Sequence, residues 1–117
     1  MQSLTISIEQ KPDLKNVYII NFDGAFDGGV KEPLAELEKL VQVNDSTIKL
    51  VLNFTKLSFL NSYAIGQMMA WYNHIIKNNG QIIIINANEN IAEILNIVGI
   101  SKLFKIFSSV DEALGAL

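Results

Sequence analysis

The sequence predicts an α/β fold, a mixed sheet of about five strands with about four helices, and three patterns carry that expectation. Short β-branched and aromatic runs recur along the chain, amphipathic stretches of helical period separate the later ones, and Gly or Pro-Asp steps punctuate them. The strand, helix, strand order in the middle calls for a right-handed parallel crossover, whereas the first two strands are spaced as a hairpin.

Leu4, Ile6 and Ile8 alternate with Ser3, Thr5 and Ser7, the period of a strand with one wet face. Pro12-Asp13 marks a turn, and Val17 to Phe22 supplies the second strand of the hairpin. Gly24, Gly28 and Gly29 then break the strand pattern. Val30, Leu34, Leu37 and Val41 recur at helical spacing with Glu32, Glu36, Glu38 and Lys39 between them, so a surface helix should pack on the sheet. Ile48 to Phe54 reads as the next strand. Ile65, Met68, Met69, Tyr72, Ile75 and Ile76 form one helical stripe, and Ile82 to Ile85 is the continuous apolar run of a parallel strand covered on both faces. Ile91, Ile94, Leu95 and Val98 mark a shorter helix that Gly99 is placed to end. Leu103 to Phe107 is the last strand expected. Ser109 and Glu112 have capping-box spacing for a C-terminal helix, with Asp111 favourable in its first turn. Without repeats, low-complexity tracts or linker-like segments, residues 1–117 read as one domain.

Composition narrows the function. Half of the residues are hydrophobic and 18% are charged, the balance of a globular chain. Cysteine is absent and His74 is the single histidine, which argues against disulfides, thiol catalysis and a zinc centre, so no metal or cofactor is expected. The net charge is −3 and all nine basic residues are scattered lysines, which speaks against direct nucleic-acid binding. No apolar run approaches a membrane span and no signal-peptide pattern opens the chain, so a cytoplasmic location is expected.

The most informative stretch is Leu52 to Gly66, Leu-Asn-Phe-Thr-Lys-Leu-Ser-Phe-Leu-Asn-Ser-Tyr-Ala-Ile-Gly. It runs from a strand through a short apolar link into an Asn61-Ser62 step that opens an amphipathic helix. A serine hydroxyl there sits where backbone N–H groups lack intrahelical partners and the helix dipole favours negative charge, so Ser62 is a candidate phosphate acceptor. Alternatively, Asn61 or Ser62 simply caps the helix.

The stretch resembles the signature of bacterial anti-sigma factor antagonists and the wider STAS domain family, in which a strand with a late Asp or Asn leads to Asp-Ser-Ser/Thr-Gly-Leu-Gly at a helix start. Asn53 fits the first polar position, Asn61-Ser62-Tyr63-Ala64-Ile65-Gly66 fits the second, and the family's phosphorylated serine falls on Ser62. The Gly80 turn, Val98-Gly99-Ile100, Leu103-Phe104 and Ser109-Val110-Asp111-Glu112-Ala113-Leu114 extend the resemblance over nearly the whole chain. Three positions depart from it: Asn61 for Asp, Tyr63 for a small hydroxyl residue and Ala64 for glycine.

The resemblance implies a regulatory protein with no enzyme activity of its own. It would bind an anti-sigma factor with serine kinase activity, be released by phosphorylation on Ser62 and be reset by a serine phosphatase. Contact with that partner is expected from Asn61, Ser62, Tyr63, Gln67 and Trp71, with Trp71 also readable as core edge. A STAS scaffold without the phosphorylation switch, serving a transport or lipid-handling complex, is the alternative. A small-molecule or nucleotide-binding sensor using the Gly24 to Gly29 loop and the Ser62 loop ranks third. His74 is expected on the solvent side of its helix, Asp23 and Asp27 as solvated or capping groups, and Met68, Met69, Tyr72 and Ile76 in the core.

Overall fold

The computed structural model describes residues 4–11, 13–14, 16–29, 32–42 and 47–117. Along the chain run β1 (Leu4–Gln10), β2 (Val17–Phe26), α1 (Leu34–Val41), β3 (Lys49–Leu60), α2 (Ser62–Lys77), β4 (Gln81–Ile85), α3 (Glu89–Ile97), a 3₁₀ turn (Ile100–Lys102), β5 (Lys105–Phe107) and α4 (Val110–Gly115). The five strands lie side by side in chain order. β1 and β2 form the expected antiparallel pair, and β2 to β5 are parallel to one another. The expected Pro12 turn and the Val30 end of the first helical stripe lie outside the described residues.

Alternation along the strands divides the core between two faces. On one face Ile20, Phe22, Leu50, Leu52, Phe54, Ile82 and Ile84 meet the apolar sides of α1, α2 and α3, in a cluster that includes Leu37, Met68, Trp71, Ile75, Ile91 and Leu95. On the other, Ile19, Val51, Ile83 and Ile85 are joined by Ala113 of the short α4. Beyond that cluster this second face carries a polar ladder. Asn21 donates to Ser7 Oγ at 3.3 Å and to Glu9 at 3.0 Å, and Asn53 donates to Asn21 Oδ1 at 2.7 Å. The Asn53 side-chain Oδ1 in turn accepts from the Thr55 amide at 3.1 Å and hydroxyl at 2.6 Å.

The strands that lead to the helix start are longer than the sequence pattern indicated. β2 continues through Gly24, at φ 108°, to Phe26, and β3 continues through the supposed apolar link to Leu60. Register shifts between Asn21 and Asp23 and between Gly24 and Ala25 let the longer β3 stay paired with β2. They also convert strict alternation into burial at Phe54, Leu57 and Leu60, which hides the strand from a two-residue period. Ser58 ties down the second irregularity by donating to the Gly24 carbonyl at 2.9 Å.

Two helix expectations and one strand expectation are corrected. Trp71 and Ala64 join Met68 and Ile75 on the buried face of α2, Met69 and Tyr72 are half-buried, and Ile76 turns outward. In α3, Val98 is exposed, while Gly99 at φ 86° follows the helix as expected. The last strand begins at Lys105 because the 3₁₀ turn and buried Phe104 occupy the preceding positions. Gly80, by contrast, is required by space: a Cβ there would run into the Ile48 carbonyl oxygen. Ser109 caps α4 by accepting from the Glu112 amide at 3.1 Å. Glu112 reaches back to the Ser108 hydroxyl and amide, and these bonds hold its carboxyl below the usual carboxylate range.

Candidate functional site

The C-terminal ends of parallel β2 and β3 meet where α2 begins, the edge at which open α/β sheets place their working loops. Asn61 leaves β3 in an extended conformation and caps α2, its Oδ1 accepting from the Ala64 amide at 3.2 Å. Its Nδ2 donates across to the Asp27 carbonyl at 3.1 Å, tying the helix start to the loop after β2. An aspartate would keep the cap but lose this second bond, which gives Asn61 a structural reason of its own.

Because Asn61 does the capping, Ser62 is left as the first helical residue, exposed and with no side-chain hydrogen bond among the described residues. The first intrahelical bond runs from the Ile65 amide to the Asn61 carbonyl at 3.1 Å, so the Ser62 and Tyr63 amides precede the ladder. The first turn of α2 contains no acidic residue. A negative group on Ser62 would therefore meet the positive end of the helix dipole without a carboxylate in that turn.

Tyr63 is half-buried. Its ring lies against Gly28, where an added Cβ would come within 3.0 Å of the ring, and meets Phe26 edge-on at 6.4 Å between centroids. Gly28 is at φ 86°, so a side chain there would be strained as well as crowded. Asp27 stabilises the same turn by accepting from the Gly29 amide at 2.9 Å, the solvated, turn-forming role expected of it. The Gly24 to Gly29 segment is thus divided between a strand end and a brace for the helix start.

Along α2 the expected contact residues separate. Asn61, Ser62, Tyr63 and Gln67 retain exposed surface, whereas Trp71 is only 3% exposed, stacked on Phe26 at 5.8 Å and near Phe22 at 6.4 Å. Trp71 belongs to the core, because its ring completes the aromatic cluster under β2. His74 also departs from expectation. It is half-buried rather than solvent-facing, and its buried Nε2 has no hydrogen-bond partner among the described residues. It borders a groove between α1 and α2 with Glu38, Val41, Gln42, Gln67, Ala70 and Trp71.

Two more asparagines shape this end of the sheet: Asn53, whose polar position the sequence had marked, and Asn88, which it had not. Asn53 anchors the polar ladder, and Asn88 caps α3 by accepting from Ile91 at 2.9 Å while donating to the Leu57 carbonyl at 3.3 Å. The cap was readable from Asn88 preceding the Ile91 stripe; the long-range bond was not. Among the described residues no group of three or more His, Asp or Glu side chains could hold a metal ion, and no helix is long and apolar enough to cross a membrane.

Solved structures share this architecture. An anti-sigma factor antagonist from Mycobacterium paratuberculosis is 21% identical and superposes with a TM-score of 0.72, covering 97% of this chain and 93% of its own. The Bacillus cell fate determinant SpoIIAA, in its phosphorylated form, is 18% identical with a TM-score of 0.72, covering 96% and 98%. Murine Slc26a9, an anion transporter, matches 97% of this chain with only 22% of its own length, at 14% identity and a TM-score of 0.72. At these identities the superpositions speak for the fold. The family profile of the STAS domain matches residues 5–113, and the chain belongs to that family.

Proposed function

We propose that this protein is an anti-sigma factor antagonist-like regulator that binds an anti-sigma factor with serine kinase activity and is switched by phosphorylation on Ser62. The observation that carries the reading is the division of labour at the start of α2: Asn61 caps the helix, leaving the Ser62 hydroxyl exposed at its positive end. The chain contributes only that positioned hydroxyl. Nucleotide, metal and phosphoryl-transfer chemistry belong to the kinase, and a serine phosphatase reverses the modification.

Binding and release then follow from one surface. The unmodified protein presents Asn61, Ser62, Tyr63 and Gln67 to the partner. A phosphate adds between one and two negative charges at a helix N-terminus, where this fold tolerates them. Across a packed interface the same group brings bulk and desolvation, and repulsion where the partner holds nucleotide phosphate, a juxtaposition that costs roughly several kcal/mol.

Incubation with candidate anti-sigma-type serine kinases and ATP tests this reading. Phosphopeptide mapping should place the phosphate on Ser62, and Ser62→Ala should stay folded, bind the kinase and resist modification. A phosphate mapped elsewhere, or stoichiometric Ser62 phosphorylation without loss of affinity, would sink the mechanism. The second reading, a phosphorylation-independent STAS scaffold, draws on the Tyr63 ring seated on Gly28 beside the serine and on the fold shared with the transporter. Tight binding to another partner with no mass shift from any kinase would favour it.

A further inference from the structure

The end of the molecule opposite Ser62 carries four of the six large hydrophobic side chains that are exposed among the described residues. α2 and α3 run away from the Ser62 edge, and β4 and β5 start at the far one. The last residues of both helices, the 3₁₀ turn and Lys105 therefore come together there. Ile97 is 74% exposed, Val98 51%, Ile76 45% and Leu103 44%. Ile76 and Leu103 share a pocket of about 190 Å³ with Tyr72, Ile82 and Lys105, which sets the end of α2 beside the turn. Single apolar side chains scattered over a surface need no explanation, but a group at one end of a small domain marks a contact surface.

The charge among these side chains is positive only. Lys77, Lys102 and Lys105 are exposed and have no ionic partner among the described residues. From Ser46 to Val110 the only acidic residues are Glu89 and Glu93, and they belong to the earlier turns of α3, toward the Ser62 edge. A chain of net charge −3 is repelled as a whole by an anionic surface. Screening nevertheless limits the reach of each exposed charge to about 10 Å at ordinary ionic strength, so the local lysines decide what this end attracts.

Of the surfaces that could cover an apolar patch among lysines, two fit poorly. A second copy seated on the same face would set Lys77, Lys102 and Lys105 against themselves. A protein partner would need a hollow shaped for Ile97, the most exposed of the four, at a place where several elements merely end. A lipid surface takes projecting apolar side chains without a matching hollow, and its headgroup phosphates pair with lysines as point charges. We propose that this end of the molecule rests on an anionic membrane, with Ile97, Val98 and Leu103 in the headgroup layer and the three lysines on lipid phosphates. The 16 residues of α2 then separate Ser62 from the docked end by about 24 Å, which leaves the serine clear for a soluble partner.

Flotation of the whole protein with vesicles tests this. Binding to vesicles of phosphatidylcholine and phosphatidylglycerol in about equal parts should be at least tenfold stronger than to phosphatidylcholine alone, and should weaken as salt is raised. Lys102→Gln combined with Lys105→Gln should weaken it at least tenfold, since each lysine near an anionic surface contributes about fivefold. Ile97→Ser combined with Val98→Ser should do the same through the apolar contact. Both of those side chains are more than half exposed and both lysines are exposed, so the urea midpoint should hold in each pair. Lys56→Gln, exposed on β3 toward the Ser62 edge, should leave binding unchanged. No binding, equal binding to both kinds of vesicle, or binding that survives either pair overturns the proposal. Self-association or binding to an acidic protein that Ile97→Ser with Val98→Ser abolishes, without vesicle binding, would assign the patch to a second copy or a protein instead. Flotation needs no kinase, so its failure leaves the Ser62 switch standing, and failure of the switch leaves the flotation result unchanged.

Discussion

The first turn of α2 and the turns that follow share one helix but answer to different demands. From Ala64 onward the buried positions Ala64, Met68, Trp71 and Ile75 are committed to the sheet. Before them Asn61 and Ser62 project from the strand end, one committed to the cap and one exposed. The contrast separates what holds the fold from what a partner can reach, and Tyr63 stands on the border between them.

The sharpest way to break the contrast is through the body of the helix. Trp71→Ala removes a 3% exposed indole from the aromatic cluster with Phe22 and Phe26 and should cost about 3–5 kcal/mol in urea denaturation. A loss below about 1 kcal/mol would return Trp71 to the surface. Next in size, phosphorylated protein should lose partner affinity by on the order of several kcal/mol in calorimetric titration while its denaturation midpoint stays unchanged. Parallel loss of both would erase the distinction between the two parts of the helix.

Smaller effects sharpen the border itself. Gly28→Ala must accept positive φ and press on the Tyr63 ring, so it should destabilise by about 1–2 kcal/mol. Tyr63→Ala should relieve the crowding part of that penalty, which a double-mutant cycle would register as coupling. Asn61→Ala should cost about 1 kcal/mol through loss of the cap, with Asn61→Asp milder because it keeps the capping oxygen. Equal losses for the two variants would put the bond to the Asp27 carbonyl, rather than the cap, in charge.

The smallest effect lies at the other end of the chain. Glu112 is held below its ordinary range by hydrogen bonds from Ser108, so its contribution exists above the unfolded pKa and fades as pH falls through the folded one. NMR titration should therefore find the Glu112 pKa below the usual value of about 4.3. Ser108→Ala should raise it towards that value.

Most of the architecture was legible because hydrophobic period is local. The hairpin, the two long helical stripes, the buried Ile82 to Ile85 run and the Ser109 cap all rest on neighbours within a few residues. The second half of β3 was not legible, because register shifts replaced alternation by burial at every third residue. The sequence leaves Trp71 between core edge and partner contact, and places His74 on the solvent side, for a related reason. A helical wheel gives the angle of a side chain, but not that aromatic rings under β2 would claim Trp71 or that α1 would half-cover His74. At the site, Ser62 was visible from its place after the strand. That Asn61 alone does the capping required the position of the Asp27 carbonyl, which no spacing reveals.

The ladder from Glu9 through Asn21 and Asn53 to Thr55 has a consequence for how the chain finds its pairing. Because strand side chains alternate, a slip of one residue between β1, β2 and β3 would turn Asn21 or Asn53 inward among Phe22, Leu52 and Phe54 and break their bonds to one another. An aliphatic core alone tolerates exchange among residues of similar size and so discriminates weakly against some misalignments. Directional amide bonds do not, and a mispaired sheet would also bury donors and acceptors without partners. These half-buried asparagines therefore act as an alignment check on the three strands whose ends fix Asp27, Asn61 and, through them, the orientation of Ser62.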